Sequence, residues 1–100
     1  MQKLLIADLW NEYQEKLMQG IDEPYIKPND ILVIHDENTL LTDGNIDTEI
    51  DKIKLAYAGM MLPVVQSYKV GIDLWYHDVI DVNHNVITFT DADIESVWRL

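Results

Sequence analysis

Two histidines and two aspartates stand close together as His77–Asp78–x–x–Asp81–x–x–His84. Imidazole and carboxylate are acceptable ligands for zinc or manganese. On an extended strand, however, His77 and Asp78 project to opposite faces, so only one of them can join Asp81 and His84 around a turn. Asn, Asp and His also suit the backbone conformations of a turn without any metal. No metal site is expected, and His77, Asp81 and His84 are the residues that come nearest to one. Calcium fails by register: Asp43, Asn45 and Asp47 fit the start of an EF-hand loop, but Thr48 and Lys54 stand where glycine and a bidentate Glu are needed. A loop starting at Asp81 places Val86 and Ala92 there instead.

Nucleophilic chemistry has equally little support. Ser67 and Ser96 lie in no nucleophile-elbow pattern, and the four glycines are isolated, so no phosphate-cradling loop exists. His35–Asp36 at a strand end resembles a catalytic dyad only as any polar pair would. With no cysteine, thiolate catalysis, disulfides and Cys-based zinc sites are excluded. The expectation is a non-enzyme without a cofactor.

The elements that carry these residues follow from periodicity. Ile6, Leu9, Trp10, Tyr13 and Leu17 recur at three- and four-residue steps, predicting an amphipathic helix over 3–19 that Gly20 terminates. Pro24 and Pro28 make 21–30 a loop. Ile31–Ile34 reads as a buried strand, with Thr39–Thr42 as its hairpin partner. A central helix starts near Asp47 and buries Ile46, Ile50, Ile53, Tyr57 and Met60. It ends at Gly59 or Pro63, or Pro63 opens a further helical turn.

Alternation places Val70, Ile72, Leu74 and Tyr76 on one face of a strand over 68–79, with Asp73, Trp75 and His77 on the other. A turn at 81–85 and an antiparallel partner over Val86–Phe89 complete a C-terminal hairpin. Thr90–Asp91 then caps a short terminal helix carrying Ile94, Val97 and Trp98. Residues 1–100 thus form a single small α+β domain: an N-terminal amphipathic helix, a central helix, a short antiparallel sheet with a C-terminal hairpin, and a short terminal helix. Apolar residues at 48% are enough for one core.

Charge is the most unusual property. Eighteen acids against seven Lys and Arg give a formal net charge of −11. Such a chain is repelled by phosphate backbones and anionic membranes. Pro28–Asp51 holds seven acids and Val70–Trp98 six, neither with a Lys or Arg, while Lys52–Lys69 holds three lysines and no acid. The acids expected to touch a partner are Asp36, Glu37, Asp43, Asp47, Glu49 and Asp51, with Asp78, Asp81, Asp91, Asp93 and Glu95 as a second patch.

Carboxylates so spaced can imitate a row of phosphates. The first functional expectation is therefore a small inhibitor that binds a basic protein, such as a nuclease, on its nucleic-acid-binding surface. Phage anti-defence proteins of the anti-CRISPR or anti-restriction type, and toxin-immunity proteins, act in that way. The alternative is a structural or assembly component of a phage or multiprotein complex, in which the three Trp with Met60 and Met61 form an apolar interface. A third is a small metal-dependent enzyme or module around His77–His84. Direct nucleic-acid binding is not expected, and the chain is a monomer or homodimer. The apolar run Leu4–Ala7 is too short for a signal peptide or a membrane span, so a cytoplasmic setting, in a bacterial cell or phage-infected host, is expected.

Overall fold

The computed structural model describes residues 1–43, 49–72 and 74–100, and side chains outside positions 42–51 and 73. The chain begins with a strand, β1 (Gln2–Leu4), before the first helix, α1 (Ile6–Met18). Helix α1 buries Leu9 and Tyr13, with Ile6, Trp10 and Leu17 packed alongside, as its periodicity requires. It ends at Gly20, whose φ of +81 is strained for any other residue type. The Gly20 N–H donates to the Leu17 carbonyl and the Ile21 N–H to that of Lys16, so two terminal carbonyls are satisfied.

Strand β2 (Ile31–Ile34) forms where the β-branched run predicts it. Its expected hairpin partner does not form, because Thr39–Thr42 lies in a helix, α2 (Glu37–Asp43). The physical reason is local and global at once. Asp36 Oδ1 accepts the Thr39 N–H at 2.8 Å and so caps the helix, while Leu40 is buried. The two edges of β2 are already occupied, by β3 (Met61–Val70) and β6 (Ile94–Arg99).

The central helix is shorter than expected: α3 spans Glu49–Leu55, followed by turns to Gly59. Its predicted start near Asp47, and the stripe positions Ile46 and Ile50, lie outside the description. Ile53 and Met60 are exposed, whereas Leu55, Tyr57 and Ala58 pack on the core. Pro63 neither ends nor opens a helix; it stands opposite Ile31 within β3. The N–H and C=O of Val64 both bond toward β2's side of the strand, so the neighbouring Pro63 nitrogen points away from that ladder.

The strand expected over 68–79 is two strands of a hairpin. Gly71, with φ of +72, turns the chain between β3 and β4 (Leu74–Ile80). Trp75, His77 and Val79 face inward, and β4 pairs with β5 (Val86–Thr90) as the C-terminal hairpin anticipated from sequence. The short terminal helix is corrected to a single 3-10 turn, Asp91–Asp93, closed by a Thr90–Asp93 capping box; Ile94, Val97 and Trp98 then lie in β6.

The class is α+β, weighted toward strands. The sheet runs β1-β6-β2-β3-β4-β5, with every neighbouring pair antiparallel. One face carries the core: Leu32, Ile34, Leu62, Val64, Val79, Phe89, Ile94 and Val97 pack beneath α1 and the loop residues Tyr25 and Ile26. Each such side chain contributes roughly 1.5–3 kcal/mol by leaving water. Register shifts at Val64–Gln66 in β3, and opposite Val33–Ile34 in β6, are β-bulges that re-aim the residues beyond them.

Candidate functional site

The β3–β4 register brings Ser67 opposite His77 on the core face. Ser67 Oγ lies 2.8 Å from His77 Nδ1, and His77 Nε2 lies 2.6 Å from Asp91 Oδ1. The Tyr25 hydroxyl donates to the other oxygen of Asp91. A carboxylate accepts only from a protonated nitrogen, so Nε2 carries a proton; in the neutral imidazole Nδ1 then accepts from the serine hydroxyl. Burial together with the Asp91 carboxylate pushes the Tyr25 phenol far above its ordinary pKa.

Serine, histidine and aspartate thus form a chain of the kind that activates a nucleophile. His77 is fully buried, while Ser67 and Asp91 at the two ends of the chain are partly exposed. Within the fold the chain joins β3, β4 and the 3-10 turn and satisfies the buried His77. The Tyr25 ring meets the His77 ring at 5.9 Å, and Trp10, Tyr13, Tyr25 and Trp75 pack together with ring centroids 5.4–5.8 Å apart, joining α1 to β4. Sequence reading missed this arrangement because ten and fourteen residues separate its members, and only strand register joins them. Ser96, the other serine considered, is sealed inside.

The metal candidates do not converge. Both His77 nitrogens are engaged within the fold, and Asp81 closes its own turn. Asp81 Oδ1 accepts the N–H groups of Asn83 and Asn85, at 2.8 and 2.9 Å. Oδ2 accepts the Tyr57 hydroxyl at 2.8 Å and the Asn85 amide at 3.2 Å. His84 sits exposed in that turn with φ of +64. Among the described residues no three His, Asp or Glu side chains are placed to hold a metal ion.

The acids of the second sequence patch are largely engaged inside the fold. Asp78 is buried on the opposite face from His77, held by Gln66 at 2.7 Å and Thr88 at 2.6 Å. Asp93 is buried and receives the Lys54 ammonium at 2.9 Å together with the Thr90 N–H at 3.0 Å. Asp91 and Asp81 hold the bonds already described. Glu95, in the β6 bulge, is exposed and has no ion pair among the described residues.

Of the first patch, Asp36 and Glu37 are exposed at the start of α2. The Thr39 N–H holds the Asp36 carboxyl below the usual carboxylate range. Asp43, Glu49 and Asp51 belong to α2 and α3 with side chains outside the description, and Asp47 lies outside it altogether. The two acidic stretches do meet in one place. The His35 N–H donates to the Asp93 carbonyl at 2.9 Å and Ile34 pairs with Ile94, so the chain leading from β2 into α2 passes the 3-10 turn, while Glu95 stands in the bulge beside Val33 and Ile34.

Cations are largely held by the protein's own carboxylates. Lys16 pairs with Glu23 and Glu12, Lys54 with Asp93, Lys69 with Asp22, and Arg99 bidentately with Asp30. At least four of the seven cationic side chains are therefore held by carboxylates among the described residues. Comparison with models of known protein families, with characterised proteins and with solved structures finds no match for this chain.

Proposed function

We propose that the protein is a small acidic inhibitor that binds a basic partner protein and covers the surface with which that partner holds nucleic acid. One observation carries the reading. The fold commits at least four of its seven cations to pairs with its own carboxylates, while Asp36 and Glu37 at the start of α2 and Glu95 in the β6 bulge beside the end of β2 are all exposed. Exposed carboxylates raise the negative potential around them, which speeds encounter with a positive surface and orients it. This mode of action requires no catalysis and no cofactor. Among the described residues no helix is long and apolar enough to cross a membrane, and a cytoplasmic setting, where such a nucleic-acid enzyme acts, belongs to the same proposal.

Immobilised protein tests this by capturing partners from lysate at about 50 mM and about 500 mM salt, which shortens the screening length from roughly 14 to roughly 4 Å. A basic nucleic-acid-binding protein retained only at low salt is the expected outcome. Partners indifferent to salt would remove the electrostatic mechanism.

A second reading, an assembly subunit, is favoured by the outer sheet face. Met61, Val65, Tyr68, Val70, Leu74 and Val86 are all substantially exposed there. Trp75 does not contribute, because it is part of the core. A defined oligomer in sedimentation supports assembly; a monomer supports the inhibitor.

A further inference from the structure

A groove of about 440 Å³ opens between the turn after α3, the start of β3 and the β4–β5 turn. Its volume lies in the range of roughly 300–1,000 Å³ typical of sites that enclose a small ligand or a projecting side chain. The walls are apolar: Met60 and Met61 are about half exposed, and Val82 almost completely so. Unbranched thioether side chains re-pack readily around an inserted group. One charge lies in the groove, the Asp81 carboxylate, with the Tyr57 hydroxyl bonded to it at 2.8 Å.

Asp81 has no lysine or arginine partner among the described residues, yet it is firmly oriented. Its bonds to the Asn85 and Asn83 N–H groups and to Tyr57 fix the carboxylate and hold its pKa below the usual range, so it is ionised at neutral pH. Its longest bond, 3.2 Å to the Asn85 side-chain amide, is the one an incoming donor can replace.

An apolar-walled groove with one oriented anion selects among occupants. A neutral apolar side chain would desolvate the carboxylate without neutralising it, and an acidic one would be repelled. A second copy of this chain fits poorly, because each copy carries −11 and holds at least four of its seven cations in pairs with its own carboxylates. An arginine has the complementary form: an apolar stem, a weakly hydrated planar head and donors suited to a carboxylate.

We propose that this groove receives an arginine side chain of the basic partner, its stem between Met60, Met61 and Val82 and its guanidinium at the Asp81 carboxylate. This deepens the inhibitor reading and rests on it. It also gives the exposed methionines and the acidic turn one shared role.

The experiment titrates n-butylguanidinium, with 1-butanol and butyrate as comparisons, into the full chain, followed through its backbone amide NMR signals. Saturable shifts at Tyr57, Met60, Asn83 and Asn85, half-complete at about 1–10 mM, are expected from n-butylguanidinium. The two comparison compounds should need at least about fivefold more. Met60→Lys, an exposed position, should weaken the probe at least about fivefold while leaving the other signals in place. Equal response to 1-butanol, no saturable shift, or unchanged binding in Met60→Lys would overturn the assignment. Salt-sensitive capture of a basic partner alongside a silent groove would remove this inference alone. A groove that binds guanidinium without such capture would support the arginine site and remove the inhibitor reading.

Discussion

His77 Nε2 stands 2.6 Å from Asp91 Oδ1, and that contact ties the middle of β4 to the corner from which β6 sets out. Ser67 completes the chain on the other nitrogen. Removing its hydroxyl in Ser67→Ala leaves Nδ1 buried without a donor, at a cost of about 1–3 kcal/mol. Urea unfolding should show a lower midpoint with an unchanged slope. An unaltered midpoint would mean that water or another donor replaces the hydroxyl at no cost.

Lys54 plays a comparable part at the same corner, joining α3 to Asp93 with both side chains largely withdrawn from solvent. Lys54→Met should destabilise the protein by about 2 kcal/mol, because Asp93 keeps its Thr90 bonds but loses its cation. Thermal unfolding at low and high salt checks this. A buried pair is screened less than a surface one, so the loss should be similar at both.

At alkaline pH, Tyr25 decides the direction of the response. Its folded-state pKa is raised above the unfolded value, by burial first and the Asp91 bond second. The associated stability is complete below the unfolded pKa of about 10 and declines as pH rises above it, because the unfolded phenol ionises first. Tyr25→Phe should lower stability at neutral pH and flatten the decline above about pH 10. Unfolding midpoints measured across that range, compared between the two proteins, test it.

At acid pH, Asp81 works in the opposite sense. Its folded pKa lies below the ordinary aspartate value, chiefly through the Asn85 N–H. Its contribution is therefore present above the unfolded pKa of about 4 and is lost as pH falls through the folded value. Asp81→Asn should show a shallower loss of thermal stability between about pH 4 and pH 2 than the native chain.

Local signals were legible in the sequence where local forces decide. The α1 stripe, the Gly20 terminator, strand Ile31–Ile34 and the β4–β5 hairpin all follow from periodicity and turn chemistry. Misreadings arose where register overrode local pattern. The bulge at Glu95 sets Ile94 and Val97 on the same face of β6 despite their three-residue spacing, which imitates a helical stripe. The bulge beside Val65 shifts the alternation of β3 in the same way and hid that strand. Strand 68–79 appeared continuous because Val70, Ile72 and Leu74 keep their alternation through a glycine turn.

Site reading divided along the same line. The excess of acid was visible in composition, but which carboxylates are free depends on partners far along the chain. Asp93 is held by a lysine thirty-nine residues away and Asp30 by an arginine sixty-nine away. No spacing rule anticipates such pairs, so Asp78 and Asp93 looked as available as Glu95.

A protein that covers the nucleic-acid-binding surface of a basic partner must compete with nucleic acid for it. The captured partner, bound to labelled duplex DNA or RNA, should be titrated with the protein at low salt while anisotropy is followed. Complete displacement of the nucleic acid is expected, and replacing Asp36, Glu37 and Glu95 by Asn, Gln and Gln should raise the concentration required by about tenfold or more. A stable ternary complex, with the nucleic acid retained at saturating protein, would show that the protein does not cover that surface.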